Sequence, residues 1–233
     1  IVGHNVQAAV DTKKHLIVAH EVTNVGHDRA QLSNMALQAK EAIACEELAV
    51  VADRGYFNGE EILACEEASI TAYVPKTQTS NNQARGLFGR RDFIYRADDN
   101  EYECPAGERL IYRFTTQDKG KTVHRYWSSA CPRCRLKKQC TTAVYRRVKR
   151  WEHEAVMEAM EDRVDRMPDC MRIRGSTVEH PFGTIKSWMG PVHFLMRRLE
   201  HVSTEMSLHV LSYNLKRMLQ MFGVGPLIAA IRG

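Results

Sequence analysis

Five apolar residues, Leu48 to Ala52, run without a polar break and end on Asp53, which is followed by Arg54-Gly55-Tyr56-Phe57-Asn58. So short an uninterrupted run predicts a strand buried on both faces of a parallel or mixed sheet. Asn58, with Glu61 three positions on, predicts the start of a helix. Asp53 is therefore expected at the carboxyl end of a buried strand, the edge at which open α/β sheets bind ligands. Upstream, Val6, Ala8 and Val10 alternate with more polar positions, Asp11 to Lys14 reads as a turn, and Leu16 to Val22 is a second strand-like run. Together they predict an antiparallel hairpin. Leu32, Met35, Ala36, Ala39, Ala42 and Ile43 fall on one helical face, with Asp28 as the expected cap. Ile70 to Val74, closed by Pro75, is the third buried strand.

The periodicity weakens from Lys76 to about Arg150. Gln78 to Gln83 reads as a linker, and Glu101–Cys104, Arg109–Phe114 and His124–Ser128 as short strands. Helical spacing returns at Trp151, Ala155, Val156, Ala159 and Met160. Two further helices are expected, over roughly Val178 to Met189 and from Thr204 to Met221 with Ser203 as N-cap. Ser176 and Glu179 have capping-box spacing and Pro181 suits a first helical turn. The glycine-bearing tail after Phe222 is expected to fray. This organisation is an α/β core in two parts, residues 1–75 and 151–233, interrupted by an insert at 76–150.

Charge sharpens that division. The net +5 of the 233 residues is uneven: Lys76 to Arg150 holds 18 Lys and Arg against 7 Asp and Glu. Between Tyr126 and Arg150 there is no acid, while Arg133, Arg135, Lys137, Lys138, Arg146 and Arg147 alternate with aromatic residues. Such a segment suits a phosphate-backbone partner, by contacts that position rather than read sequence; a solvated basic surface is the other reading. No apolar run is long enough to span a membrane. Seven cysteines without a secretory signal point to a reducing compartment. Cys131-Pro132-Arg133-Cys134 is a Cys-x2-Cys knuckle, and with Cys104 and Cys140 it offers four thiolates for a structural Zn²⁺. Reduced free thiols are the other reading. Cys45, Cys65 and Cys170 lack such spacing.

Glu179 and Lys186 are seven apart, two helical turns, and so share a face. Ala52-Asp53-Arg54-Gly55-Tyr56-Phe57, followed far downstream by Thr177-Val178-Glu179-His180-Pro181-Phe182-Gly183 and Lys186, resembles the DDE transposases of bacterial insertion sequences. The hairpin Gly3 to Asp11 and the stretch Val22 to Asp28 are similar to the same family. The resemblance implies an RNase H-like fold, a mixed sheet with flanking helices. It implies Asp53 as the second catalytic acid and Glu179 as the third, both ligands of Mg²⁺ or Mn²⁺, with Lys186 on DNA. It implies double-stranded DNA (transposon ends and target) as substrate, a homodimer in the active complex and a bacterial, nucleoid-associated setting in the cytoplasm. Two Mg²⁺ ions held by hard carboxylate oxygens suit phosphodiester cleavage and strand transfer.

Two departures accompany the resemblance. The family often has Arg four residues before the glutamate and Tyr three before that; here these positions hold Gly175 and Arg172, with Arg174 one place out of register. The first acid is expected on a strand upstream of the hairpin, before Ile1. Asp11 reads as a turn residue and His27-Asp28 as a helix cap. A DNA-binding remnant without catalysis is therefore the alternative, and a zinc-ribbon interaction module a third reading.

Overall fold

The alternating segment at the start closes as a hairpin in the computed structural model, which describes residues 3–76, 82, 84–188 and 193–232. Strands β1 (Asn5–Val10) and β2 (Ile17–Thr23) pair antiparallel. The chain divides into two compact units, residues 1–77 with 156–233, and residues 78–155.

In the first unit, helix α1 (Leu32–Ile43) buries Leu32, Met35, Ala36 and Ala39. Met35 and Ala39 pack with Ala19 of β2. Strand β3 (Leu48–Val51) pairs in parallel with β4 (Ile70–Tyr73), and α2 (Gly59–Glu67) joins them. Asn58 caps α2 as its sequence requires, its side-chain oxygen accepting from the Glu60 N–H at 3.2 Å. Glu61 does not complete a capping box. Its Oε2 accepts from Ser33 N and Ser33 Oγ, at 2.9 and 2.7 Å, and so caps α1 from the neighbouring helix.

The described residues contain no strand joining the two pairs; β1–β2 and β3–β4 remain separate two-stranded sheets. The residues of β3 are half-buried or exposed, not sealed on both faces as its apolar run suggests. The reason lies beside it. A cleft of about 240 Å³ is lined by Asn5 to Ala9 of β1 and by Val50 and Val51 of β3.

Helix α4 (Glu154–Arg166) starts at the last two residues of the second unit, and α5 (Cys170–Trp188), α6 (Leu199–Phe222) and α7 (Val224–Arg232) come after it in the chain. α5 begins eight residues before Val178, so Ser176, Glu179 and Pro181 lie in its interior. The capping-box reading is thus corrected: Ser176 Oγ donates back to Ile173 O at 3.0 Å, a mid-helix bond. Met189, the expected end of this helix, and the linker Gln78 to Gln83 apart from Asn82 lie outside the described residues. α6 likewise starts at Leu199, which places Ser203 inside it rather than at its cap. The tail does not fray up to Arg232: Gly223, at φ +79°, breaks the helix and α7 resumes.

α6 covers the hairpin. Val202, Met206, Val210 and Tyr213 bury against Ile17, Val22 and Ile185. Asn214 takes the place of a neighbouring strand there, its Oδ1 accepting from Ile17 N at 3.0 Å and its Nδ2 donating to Ile17 O at 2.8 Å. Asn214→Leu strands both backbone groups and is expected to cost about 2–3 kcal/mol. Urea denaturation should show a lower midpoint at unchanged slope.

The second unit is an antiparallel sheet of five strands in sequence order: β5 (Ile94–Arg96), β6 (Glu101–Glu103), β7 (Arg109–Asp118), β8 (Lys121–Trp127) and β9 (Val148–Trp151). Phe93, Tyr102, Leu110, Tyr126 and Val148 form its core. Arg150 is buried there, its guanidinium 3.6 Å from the Tyr95 ring centre and 3.2 Å from Tyr102 Oη. Desolvating a cation is offset by the negative ring face and by these bonds.

Candidate active site

Asp53 lies two residues beyond the end of β3 and caps the 3-10 turn Arg54–Tyr56, its Oδ1 accepting from Gly55 N at 2.8 Å. Its other oxygen, Oδ2, accepts from Arg174 Nη2 of α5 at 2.7 Å. Both side chains are partly open to water, 36% exposed for Asp53 and 27% for Arg174, so the pair contributes little stability and can be exchanged. Asp53 and Arg174 line the cleft between β1 and β3 together with Tyr56, Val178 and Phe182.

A second carboxylate lies beside Asp53, and the sequence reading assigned it elsewhere. Asp28 does not cap α1; the cap position is Gln31, with no side-chain bond. Asp28 Oδ1 instead accepts from Asn5 Nδ2 and Gln7 Nε2 of β1, each at 2.7 Å. Its Oδ2 reaches the space over Gly55. A Cβ on Gly55 would stand 3.0 Å from Asp53 Oδ1 and 3.3 Å from Asp28 Oδ2, so a side chain there would press on both acids. The signal available in the sequence was polar Asn5 and Gln7 on a strand otherwise apolar, each needing a buried partner. Gln7 is 1% exposed.

Tyr56 completes the network by donating its hydroxyl hydrogen to Gln7 Oε1. Burial, then the charges of Asp28 and Asp53, push its phenol up to about 12, against the opposing pull of Arg174. It remains a donor throughout the neutral range. A proton held more tightly in the folded state makes this contribution complete below pH 10 and lost as pH rises from 10 towards 12. Asp28→Asn removes one of the raising charges. Spectrophotometric titration, with Tyr56→Phe to identify the phenol, should show Tyr56 ionising at lower pH.

Glu179 is exposed on α5, and a Cβ on Gly175 would lie 3.8 Å from its Oε1, ordinary contact distance. The group that meets Asp53 is Arg174, on the helix face that also presents Val178 to the cleft. Lys186, two turns beyond Glu179, is exposed. Among the described residues no three His, Cys, Asp or Glu side chains stand arranged as a finished metal site.

In the basic unit Arg133, Arg135, Lys138 and Arg147 are exposed and Lys137 is half-buried. Arg147 also lies 5.5 Å from the Trp127 ring centre. Arg146 is turned inward: it donates to Cys140 O and Phe88 O, at 3.5 and 3.4 Å, and packs 4.9 Å from the Phe93 ring centre. Cys104, Cys131, Cys134 and Cys140 all line one small cavity, and none of the four is in a disulfide. Burial pushes the Cys140 thiol up, Arg146 opposes that shift, and the other three thiols add to it.

A family model described as "Transposase DDE domain" matches residues 1–215. The chain belongs to that family. No curated protein and no solved structure matches it. Membership points to a function in transposition with DNA as substrate; transposases of this family in general use divalent metals. Among its described residues no helix is long and apolar enough to cross a membrane.

Proposed function

We propose that this domain catalyses metal-dependent DNA strand cleavage and strand transfer for a bacterial insertion sequence. The observation that carries the reading is Asp53 at the end of β3, its carboxylate in the cleft and held by an exchangeable cation, Arg174. The donor chemistry fits a hard divalent ion, Mg²⁺ or Mn²⁺: the Asp53 carboxylate stands in the cleft with Asp28 beside it across Gly55, and Arg174 supplies the positive charge that Asp53 holds in the ion's absence. When bound, such an ion stabilises the charge that develops on the transferring phosphate.

In this reading Asp53 and Glu179 are the protein ligands. Asp28, fixed by Asn5 and Gln7, positions the Gly55 turn and adds negative charge that favours cation over anion in the cleft. Arg174, released from Asp53, turns to a DNA phosphate, and Lys186 holds another as a point charge. Arg133, Arg135, Lys137, Lys138 and Arg147 hold the backbone of double-stranded transposon ends or target. The active complex is a homodimer working at the bacterial nucleoid.

The second reading, a DNA-binding remnant, is favoured by Gly175 and Arg172, which stand where the family often has Arg and Tyr. Incubating the transposase with DNA bearing its element's ends separates the two. Cleavage that requires Mg²⁺ and stops with chelator supports catalysis; retention of DNA without cleavage at any Mg²⁺ or Mn²⁺ concentration supports the remnant.

A further inference from the structure

The connection from β8 to β9 runs 20 residues, Ser128 to Arg147. Its described regular structure is one 3-10 turn, Cys131–Arg133, and the single turn α3 (Lys137–Cys140). A loop of this length needs something to hold it. Cys131 and Cys134 flank the turn, whose Cys134 N–H donates to Cys131 O at 3.3 Å. Cys140 ends α3. Cys104 comes from a different place, the β6–β7 turn, where Gly107 N donates to Cys104 O at 2.8 Å and Gly107 takes φ +78°. These four cysteines converge on one cavity of about 30 Å³, with a lining that is almost wholly apolar except for Glu108, Ser128, Lys137, Thr141 and Arg146.

We propose that the four thiolates bind one structural Zn²⁺, which staples the β6–β7 turn to the β8–β9 connection. The spacing predicts sulfurs about 3.5–4 Å apart even without metal, and that is not found: among the described residues no three such ligands stand close enough to share an ion, so binding has to draw the sulfurs in to about 3.8 Å, as tetrahedral Zn–S bonds near 2.3 Å require. Each thiol gives up its proton, so a dication with four thiolates leaves a net charge of −2. Arg146 and Lys137 line the cavity and offset it. Arg146 Nε supplies an independent sign. It is buried without a hydrogen-bond partner, on a residue that lines the same cavity, and so is a donor for a metal-bound thiolate. The inference does not depend on the DNA chemistry proposed above.

The test is metal analysis of the whole protein purified without chelators. One zinc per chain is expected, retained in Cys45→Ser and lost in Cys131→Ser. Loading the apo-protein with Co²⁺ should give thiolate-to-cobalt charge-transfer bands and intense tetrahedral d–d bands. Cys140→His should keep the metal and alter that spectrum, which guards against a serine variant that merely misfolds. Absence of zinc both as purified and after reconstitution overturns the proposal. So does a disulfide among the four cysteines found by mass spectrometry in protein handled under reducing conditions.

Discussion

Asp53→Asn is expected to reduce strand cleavage by about 10³-fold or more. The substitution keeps size and most hydrogen bonding but replaces an anionic oxygen at the cleft by an amide. Charge stabilisation by a catalytic ion contributes several kcal/mol, and each 1.36 kcal/mol is about tenfold in rate. Glu179→Gln should lose a comparable factor. Asp28→Asn, acting through Asn5, Gln7 and the Gly55 turn, should cost only about tenfold, since second-sphere partners typically contribute 10- to 100-fold. Retention of DNA separates these effects from unfolding. Asp53→Asn should bind DNA within a few-fold of the parent, because the basic unit is untouched. Activity of Asp53→Asn within about tenfold of the parent would remove Asp53 from the chemistry.

Much of this arrangement was legible in the sequence, and the rest was hidden for identifiable reasons. The hairpin, β3 and the Asn58 cap followed from local pattern because each depends on neighbours close in sequence. The true burial of β3 did not, since it depends on what stands between β1 and β3. The start of α5 was misplaced because Ser176, Glu179 and Pro181 imitate an N-terminus, although the helix continues upstream to Cys170. A proline within a helix removes one backbone donor, a cost that packing can absorb: Pro181 is buried in this helix. Asp28 was assigned to a cap because its long-range partners, Asn5 and Gln7, are more than 20 residues away. Arg174 shows the same limit from the other side. One place out of register by motif, it reaches Asp53 across 121 residues of sequence.

DNA binding by the whole protein should weaken steeply with salt. Arg133, Arg135, Lys138 and Arg147 are exposed and Lys137 half-buried, so about five phosphate contacts are available on this unit. Each releases condensed counterion with a slope near −0.9, giving a combined slope of about −4 to −5 in log K against log salt. Raising salt from about 50 to 200 mM should then cost between about 10² and 10³ in affinity. Arg146 is the informative control. Its guanidinium serves the carbonyls of Phe88 and Cys140 and the ring of Phe93, so its loss should lower stability more than it changes the salt slope. Arg135→Gln or Lys138→Gln should each reduce the slope by about 1 and weaken binding uniformly across DNA sequences, as phosphate contacts do. A slope that stays unchanged when both are replaced would place the backbone contacts elsewhere, with Arg174 and Lys186 of α5 the next to substitute.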